Sequence, residues 1–340
     1  MRGPEFTYAR AVDVDNAVAL VQRPGCAFMA GGTDLLQLWK AGRTSPVEVV
    51  DISHLNLDQI KQSSAGWRIG TTARLSDVAA HADIARWFPL VSESILATAS
   101  GQIRNMATIG GNLLQRTRCP YFRSIGVSSD PESPGAISCN KHLPGSGCAA
   151  VHGDNRAAAV FGASNRCVAT HPSDLAVSLV ALEAQVEVHS SDATRRLPLR
   201  ELHRLPGETP EHDTILSPGD LITGVLLPDD ARRFAARSTY LKVRDRASFE
   251  FAVISVSAAL DITDGVIVGA RLAAGGVAPM PWRLDAVEAA LVGRRPVEET
   301  FRGAAARSVD GAEPLSHNAF KIELLRRSVL RALTTIGGQQ

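Results

Sequence analysis

No apolar run in the 340 residues approaches the ~18–20 that a membrane-crossing helix needs. No basic stretch leads into a hydrophobic core at the N-terminus, so synthesis in the cytoplasm is expected. Export to the periplasm would then need a partner that carries the signal. An excess of charge is missing too: 36 Lys and Arg face 35 Asp and Glu, for a net charge of +1. With no basic stripe interleaved with aromatics, nucleic acid is not an expected partner. Several motifs are absent as well. There is no G-x-G-x-x-G after a strand, so a Rossmann domain is not supported. There is no P-loop, nucleophile elbow or H-E-x-x-H, and no C-x-x-C knuckle of the kind a zinc ribbon requires.

What is there points to an ordinary globular chain of two or three domains, since single cores stop growing near roughly 250–300 residues. At 45% hydrophobic and 21% charged it can bury such cores. Val12, Val14, Ala17, Val18 and Val21 have helical spacing and end at Pro24-Gly25. A strand at Ala27–Ala30, a Gly31-Gly32 turn, a helix capped by Thr33 or Asp34, and a strand at Val47–Asp51 make a small β-α-β unit over 1–55. A second unit, 56–230, has a strand at Trp67–Gly70, helical stretches near 75–87 and 90–100, and a buried helix at 174–184. Paired strands at Gln185–His189 and Arg195–Leu199 and a strand at Leu221–Leu227 complete it. In 231–340, three strands (Thr239–Val243, Phe249–Leu260, Val266–Ala274) suggest a three-stranded antiparallel sheet. Helices near 282–292, 297–309 and 318–335 would cover it, the last presenting Ile322, Leu325, Val329 and Leu333 on one face. The expected class is α+β: two α/β subdomains followed by a C-terminal sheet with helices.

Four constellations carry chemistry, all but one of them between Thr108 and Asp174. In Ala30-Gly31-Gly32-Thr33-Asp34, paired glycines between strand and helix let backbone N–H groups converge on a phosphate, and a plain capped turn is the alternative. Thr108-Ile109-Gly110-Gly111-Asn112 supplies a second such turn, so a pyrophosphate between two subdomains is a candidate, against a bulge or cap. Cys119, Cys139, Cys148 and Cys167 stand on one long stretch. A [4Fe–4S] cluster, a structural zinc and unrelated thiols all remain open from the spacing. Pro144, Gly145 and Gly147 around Cys148 suit a tight wrap. Cys26 stands apart and reads as a buried inert thiol. His171, before Pro172-Ser173-Asp174, reads as a packed turn histidine, because no nucleophile or carboxylate is set to work with it. Ser124–Ser138, rich in Ser, Gly and Pro, reads as a solvated loop.

Ala30–Leu35, Thr108–Asn112 and Pro172-Ser173-Asp174 resemble the FAD-binding subunit of the molybdenum hydroxylases, the xanthine dehydrogenase and carbon monoxide dehydrogenase group. The runs Gly111–Phe122 and Leu143–Ala150 resemble its bacterial aldehyde oxidoreductase branch, whose flavin subunit carries an additional [4Fe–4S] cluster. The resemblance implies an FAD-binding fold of two α/β subdomains plus a C-terminal domain. It implies that Phe28, Met29, Ala30, Gly31, Gly32, Thr33, Asp34, Leu35 and Leu36, with Thr108, Gly111 and Asn112, hold the pyrophosphate and ribityl chain. Asp174 would take a flavin-side or ribose hydroxyl. Ile222 would pack on the adenine or ring system, and Lys242 would hydrogen-bond the isoalloxazine. Without the family, Lys242 is a strand lysine on a solvated face. The four cysteines would ligate the cluster. Partners would be a large molybdopterin subunit and a small [2Fe–2S] subunit in an αβγ heterotrimer. Electrons would leave that assembly through the FAD to an external acceptor. Two rivals are a self-sufficient flavin oxidase of the vanillyl-alcohol type and a zinc-stabilised scaffold subunit.

Overall fold

The computed structural model describes residues 5–124 and 136–338. In the first lobe the strands β1 (Thr7–Arg10), β2 (Cys26–Met29) and β3 (Glu48–Asp51) form a parallel sheet in the order β1-β3-β2. Helix α1 (Val14–Val21) starts where the Asp13 carboxylate accepts from Asn16 N at 2.7 Å, and it lays Ala17, Val18 and Val21 on Val50 and Ile52. Helix α2 (Leu35–Lys40) follows the glycine pair. Strand β1 is not legible in the sequence. It is four residues long, mostly exposed, and held by pairing with a strand about forty residues away.

The second lobe opens with β4 (Ile60–Ser63) and β5 (Gly66–Gly70). The expected helix over 75–87 is broken at His81, whose extended backbone (ψ 119°) separates α3 (Leu75–Ala80) from α4 (Ala82–Trp87). Pro89 then opens α5 (Pro89–Leu96). Short helices α6 (Gly101–Arg104), α7 (Ile109–Leu113) and α8 (Pro120–Arg123) carry the chain past the second glycine pair and Cys119. The Ser124–Ser138 loop reading falls on residues that lie, except at its ends, outside the described ones. Helix α9 (Asp174–Ala181) is apolar almost all round and every residue in it is buried, as its sequence implies. After it come β6 (Gln185–His189), β7 (Thr194–Pro198), α10 (Leu199–Leu202) and β8 (Leu221–Pro228). The five strands form one antiparallel sheet, β4-β5-β8-β6-β7, with a bulge at Glu187/Val188.

In the third lobe β9 (Ser238–Val243), β10 (Ile254–Thr263) and β11 (Val266–Gly275) pair antiparallel, and β12 (Trp282–Arg283) adds a fourth strand on the β11 edge. The three-stranded expectation is corrected by this two-residue strand, too short to leave a pattern. Phe249–Val253, read as the start of β10, is instead a loop in which Phe249 has a left-handed backbone (φ +52°). Helices α11 (Asp285–Leu291), α12 (Glu298–Ala306) and α13 (Phe320–Gly337) cover one face, with Leu325, Val329, Leu333 and Ile336 of α13 in the core. Lys321, rather than Ile322, is the fully buried residue of the first α13 turn. No described helix is long and apolar enough to cross a membrane.

Candidate functional site: a trough between two glycine turns, and four thiols beside it

The two glycine turns touch. A Cβ on Gly31 would overlap the Met106 carbonyl oxygen, just before the second turn, and a Cβ on Gly110 would overlap the Thr71 hydroxyl. Glycine is therefore required for backbone to meet backbone at this seam, and Gly32 adds a left-handed φ of +67°. Thr108 Oγ1 accepts from Gly111 N at 3.4 Å and starts α7. Around the seam open two cavities that share Thr33, Asp34 and Gly111. One, of about 300 Å³, is walled by Phe28, Met29, Ala30, Gly31, Gly32, Leu35, Thr108 and Ile222, with Thr71, Arg43 and Arg116. The other, of about 650 Å³, runs on past Asn112, Gln115, Arg118, Asp174 and Lys242 to Phe249 and Phe251. Together they form one trough. Every residue expected to hold the cofactor lines it except Leu36, which is 43% exposed and lies against Gly32 outside either cavity.

Two carboxylates behave differently from the expectation. Asp34 does not cap α2 with its side chain. It reaches across to the cysteine-bearing segment, accepting Arg116 N at 2.9 Å, an Arg123 guanidinium nitrogen at 2.9 Å and Arg118 at 3.0 Å. Burial lowers the Arg118 pKa to about 10 even so. Helix α9 is capped by Ser173, whose Oγ accepts from Ala176 N at 3.0 Å and donates to Asn112 Oδ1 at 2.5 Å. That fixes the Asn112 amide with its oxygen toward Ser173. Asp174 itself accepts from Tyr240 Oη (2.5 Å), Lys242 Nζ (2.8 Å) and Thr98 Oγ1 (3.1 Å). Lys242 is thus no solvated-face lysine: its side chain is 4% exposed and ion-paired.

The four thiols gather on the far side of Arg118. Asn140 N donates to Gly147 O (2.8 Å) and Ala149 N to Ser138 O (2.9 Å), which makes Cys139 and Cys148 a non-hydrogen-bonded antiparallel pair with neighbouring side chains. The turn between them is held by Asn140 Oδ1, which accepts from Gly145 N and Gly147 N at 3.0 and 2.9 Å. Cys119 and Cys148 pack against Ala150, Ala158 and Val168, and Cys167 lies within electrostatic reach of both. None of the four is in a disulfide. Burial pushes the Cys119 thiol up to about 11 and Cys167 to about 12, and raises Cys139. Backbone N–H groups oppose that rise: Phe122 and Tyr121 at Cys119, Lys141 and His142 at Cys139, and Ala169 at Cys167. Among the described residues, no three His, Cys, Asp or Glu side chains converge as a single bound ion demands. Cys26 stays apart, half-buried beside Glu48.

His171 is a packed histidine, as its surroundings in the sequence suggest. Its ring meets His203 edge-on at 4.3 Å, His203 Nε2 lies 2.9 Å from Leu113 O, and burial holds His171 well below the usual histidine range. The residues not anticipated are Thr71, Thr98, Tyr240 and the arginines 116, 118 and 123. The three arginines crowding Cys119 were a visible signal. The other three come from distant segments and left none.

Residues 4–230 match the family described as the FAD binding domain in molybdopterin dehydrogenase, and residues 239–336 match the CO dehydrogenase flavoprotein C-terminal domain. The chain is 43% identical over 338 residues to the aldehyde oxidoreductase FAD-binding subunit PaoB of Escherichia coli, covering 98% of this chain and 99% of that one. It is 25% identical over 336 residues to the glyceraldehyde dehydrogenase medium chain of Sulfolobus acidocaldarius, at 98% and 97% coverage. A chain of the solved CO dehydrogenase from Oligotropha carboxidovorans shares the fold, with a TM-score of 0.76 at 20% identity over the whole of both chains.

Proposed function

The chain belongs to the family of FAD-binding subunits of molybdopterin dehydrogenases, and on that premise we propose that it is the electron-output subunit of a heterotrimeric aldehyde oxidoreductase. A large molybdopterin subunit and a small [2Fe–2S] subunit would complete the assembly; relatives named as medium chains support such a three-part organisation. The aldehyde reading rests on two relatives whose names carry one. Bound FAD would supply the redox chemistry, delivering electrons to an external acceptor. The observation that carries the reading is the seam where Gly31 meets Met106, with a cavity opening on either side.

In this reading the two turns receive the diphosphate on converging N–H groups. Phe28 and Ile222 wall the adenine end. Asn112, its oxygen taken by Ser173, offers its amide nitrogen to the larger cavity, and Lys242 offers an N–H there. Asp174, its carboxylate already held by three protein donors, orients Lys242 rather than gripping a hydroxyl. The division into 1–55, 56–230 and 231–340 belongs to the same proposal, supported by three separate sheets.

We assign Cys119, Cys139, Cys148 and Cys167 to a [4Fe–4S] cluster. Four thiols outside any disulfide, with backbone N–H groups directed at three of the sulfurs, supply the four ligands a cubane takes. Purification without air tests this. The parent should carry four irons and four acid-labile sulfides per chain, and Cys139→Ser should lose most of both while keeping its flavin. Full iron in the variant removes Cys139 from the ligand set.

A further inference from the structure

Tyr240 and Lys242 stand two apart on β9 and so face the same way. Both reach Asp174, the first residue of α9, whose side chain is 4% exposed. Tyr240 Oη donates to one carboxylate oxygen at 2.5 Å and Lys242 Nζ to the other at 2.8 Å. Thr98 Oγ1 lies 3.1 Å from that second oxygen and 2.8 Å from Ser94 O, so its single proton is divided between them. Lys242 has one further protein acceptor, Ala97 O at 3.0 Å, on a segment that turns at Ala99 with a left-handed φ of +48°. An ammonium carries three N–H groups. Two are taken by protein, the third has no protein acceptor among the described residues, and Lys242 lines the larger cavity. Tyr240 is itself fixed at its backbone, where its N donates to Glu93 Oε2 at 2.7 Å.

We propose that Tyr240 is a positioning residue that sets the redox potential of the bound flavin: by holding Asp174 as a compensated carboxylate, it lets Lys242 present its positive charge to the ring system. This deepens the proposed function and rests on FAD occupying the trough. The physical basis is local. A buried carboxylate that loses a donor bears more uncompensated negative charge, and a charge-assisted hydrogen bond is stronger than a neutral one. Burial works to raise the Asp174 pKa, and Lys242, Tyr240 and Thr98 together work against that rise. Removing the phenol leaves the carboxylate to draw more fully on Lys242, so the field at the ring becomes less positive. Electrons are then held less tightly there.

The test is Tyr240→Phe in the full chain with its flavin, which keeps the ring volume and deletes only the donor. Spectroelectrochemical titration at about pH 8 should show a lower flavin midpoint potential. We expect about a tenfold loss in the two-electron reduction constant, ~30 mV. Thr98→Val should shift it in the same direction and by less, because its proton is divided. Ser257→Ala, which removes the buried Ser178–Ser257 hydroxyl contact (2.8 Å) in the same sheet, should lower stability and leave the potential where it was. A Tyr240→Phe potential equal to the parent's, or higher, overturns the inference while leaving the flavin assignment intact. An equal shift from Ser257→Ala also overturns it, because general loosening would then suffice. A parent chain that binds no flavin defeats the proposed function instead.

Discussion

Gly31 has no Cβ, and the Met106 carbonyl oxygen stands where one would be. The glycine pair was visible in the sequence as a candidate phosphate turn, but this steric reason for it was not, because Met106 is 75 residues away. Lys321 is the opposite case. A lysine on an amphipathic helix reads as solvent-facing, yet its Nζ donates to Ala157 O, Ala158 O and Gly276 O at 3.1, 2.9 and 2.7 Å, with no carboxylate partner among the described residues. Burial lowers its pKa to about 7. A lysine depressed in the folded state favours folding above its unfolded value near 10.4 and loses that contribution as pH falls toward 7. Lys321→Met would leave Ala157 O and Gly276 O without their donor, while Ala158 O keeps Asn318 Nδ2, at a cost of about 2 kcal/mol or more. Denaturant titrations should show that the parent gains stability relative to Lys321→Met between pH 7 and pH 9. A gap that is constant with pH would mean the amine titrates normally.

At the scale of elements, what could be read was what local pattern determines. Helix α9 announces itself by an apolar run behind a Ser173 cap, and the β6–β7 hairpin by alternation. Strands β1, β4 and β12 were missed because they are two to four residues long and exist through their partners. The break at His81 and the loop at Phe249 are tertiary decisions. So is the tie between α2 and the cysteine segment. Asp34 holds Arg116 N and the Arg118 and Arg123 side chains, joining the first glycine turn to the stretch that carries Cys119. Asp34→Asn turns an amide toward those donors, and should loosen residues 116–123 without unfolding the lobe. Trypsin should then cut at Arg116, Arg118 or Arg123 about tenfold faster, corresponding to ~1.4 kcal/mol of local opening, with the global melting temperature little changed. Unchanged cleavage would show that other contacts hold the segment.

Across the whole molecule there are three sheets, the core of the second lobe takes in Tyr240, Ala259 and Ala273 of the third sheet, and the trough runs where the first two lobes meet before it reaches β9. The α+β architecture and the residues of the two turns were accessible from sequence because glycine pairs and apolar periods are local signals. The network around Lys242 was hidden because Thr98, Asp174 and Tyr240 are brought together by packing α5 against β9 and α9 against β10 and β11. The central claim is that one dinucleotide lies along this trough in one direction. An experimental structure of the full chain with FAD tests it most directly. The account predicts the diphosphate at the seam lined by Thr33, Asp34 and Gly111, the adenine beside Ile222, and the ring system beside Lys242. An FAD bound with its ring system at Ile222, or outside the trough altogether, would contradict it.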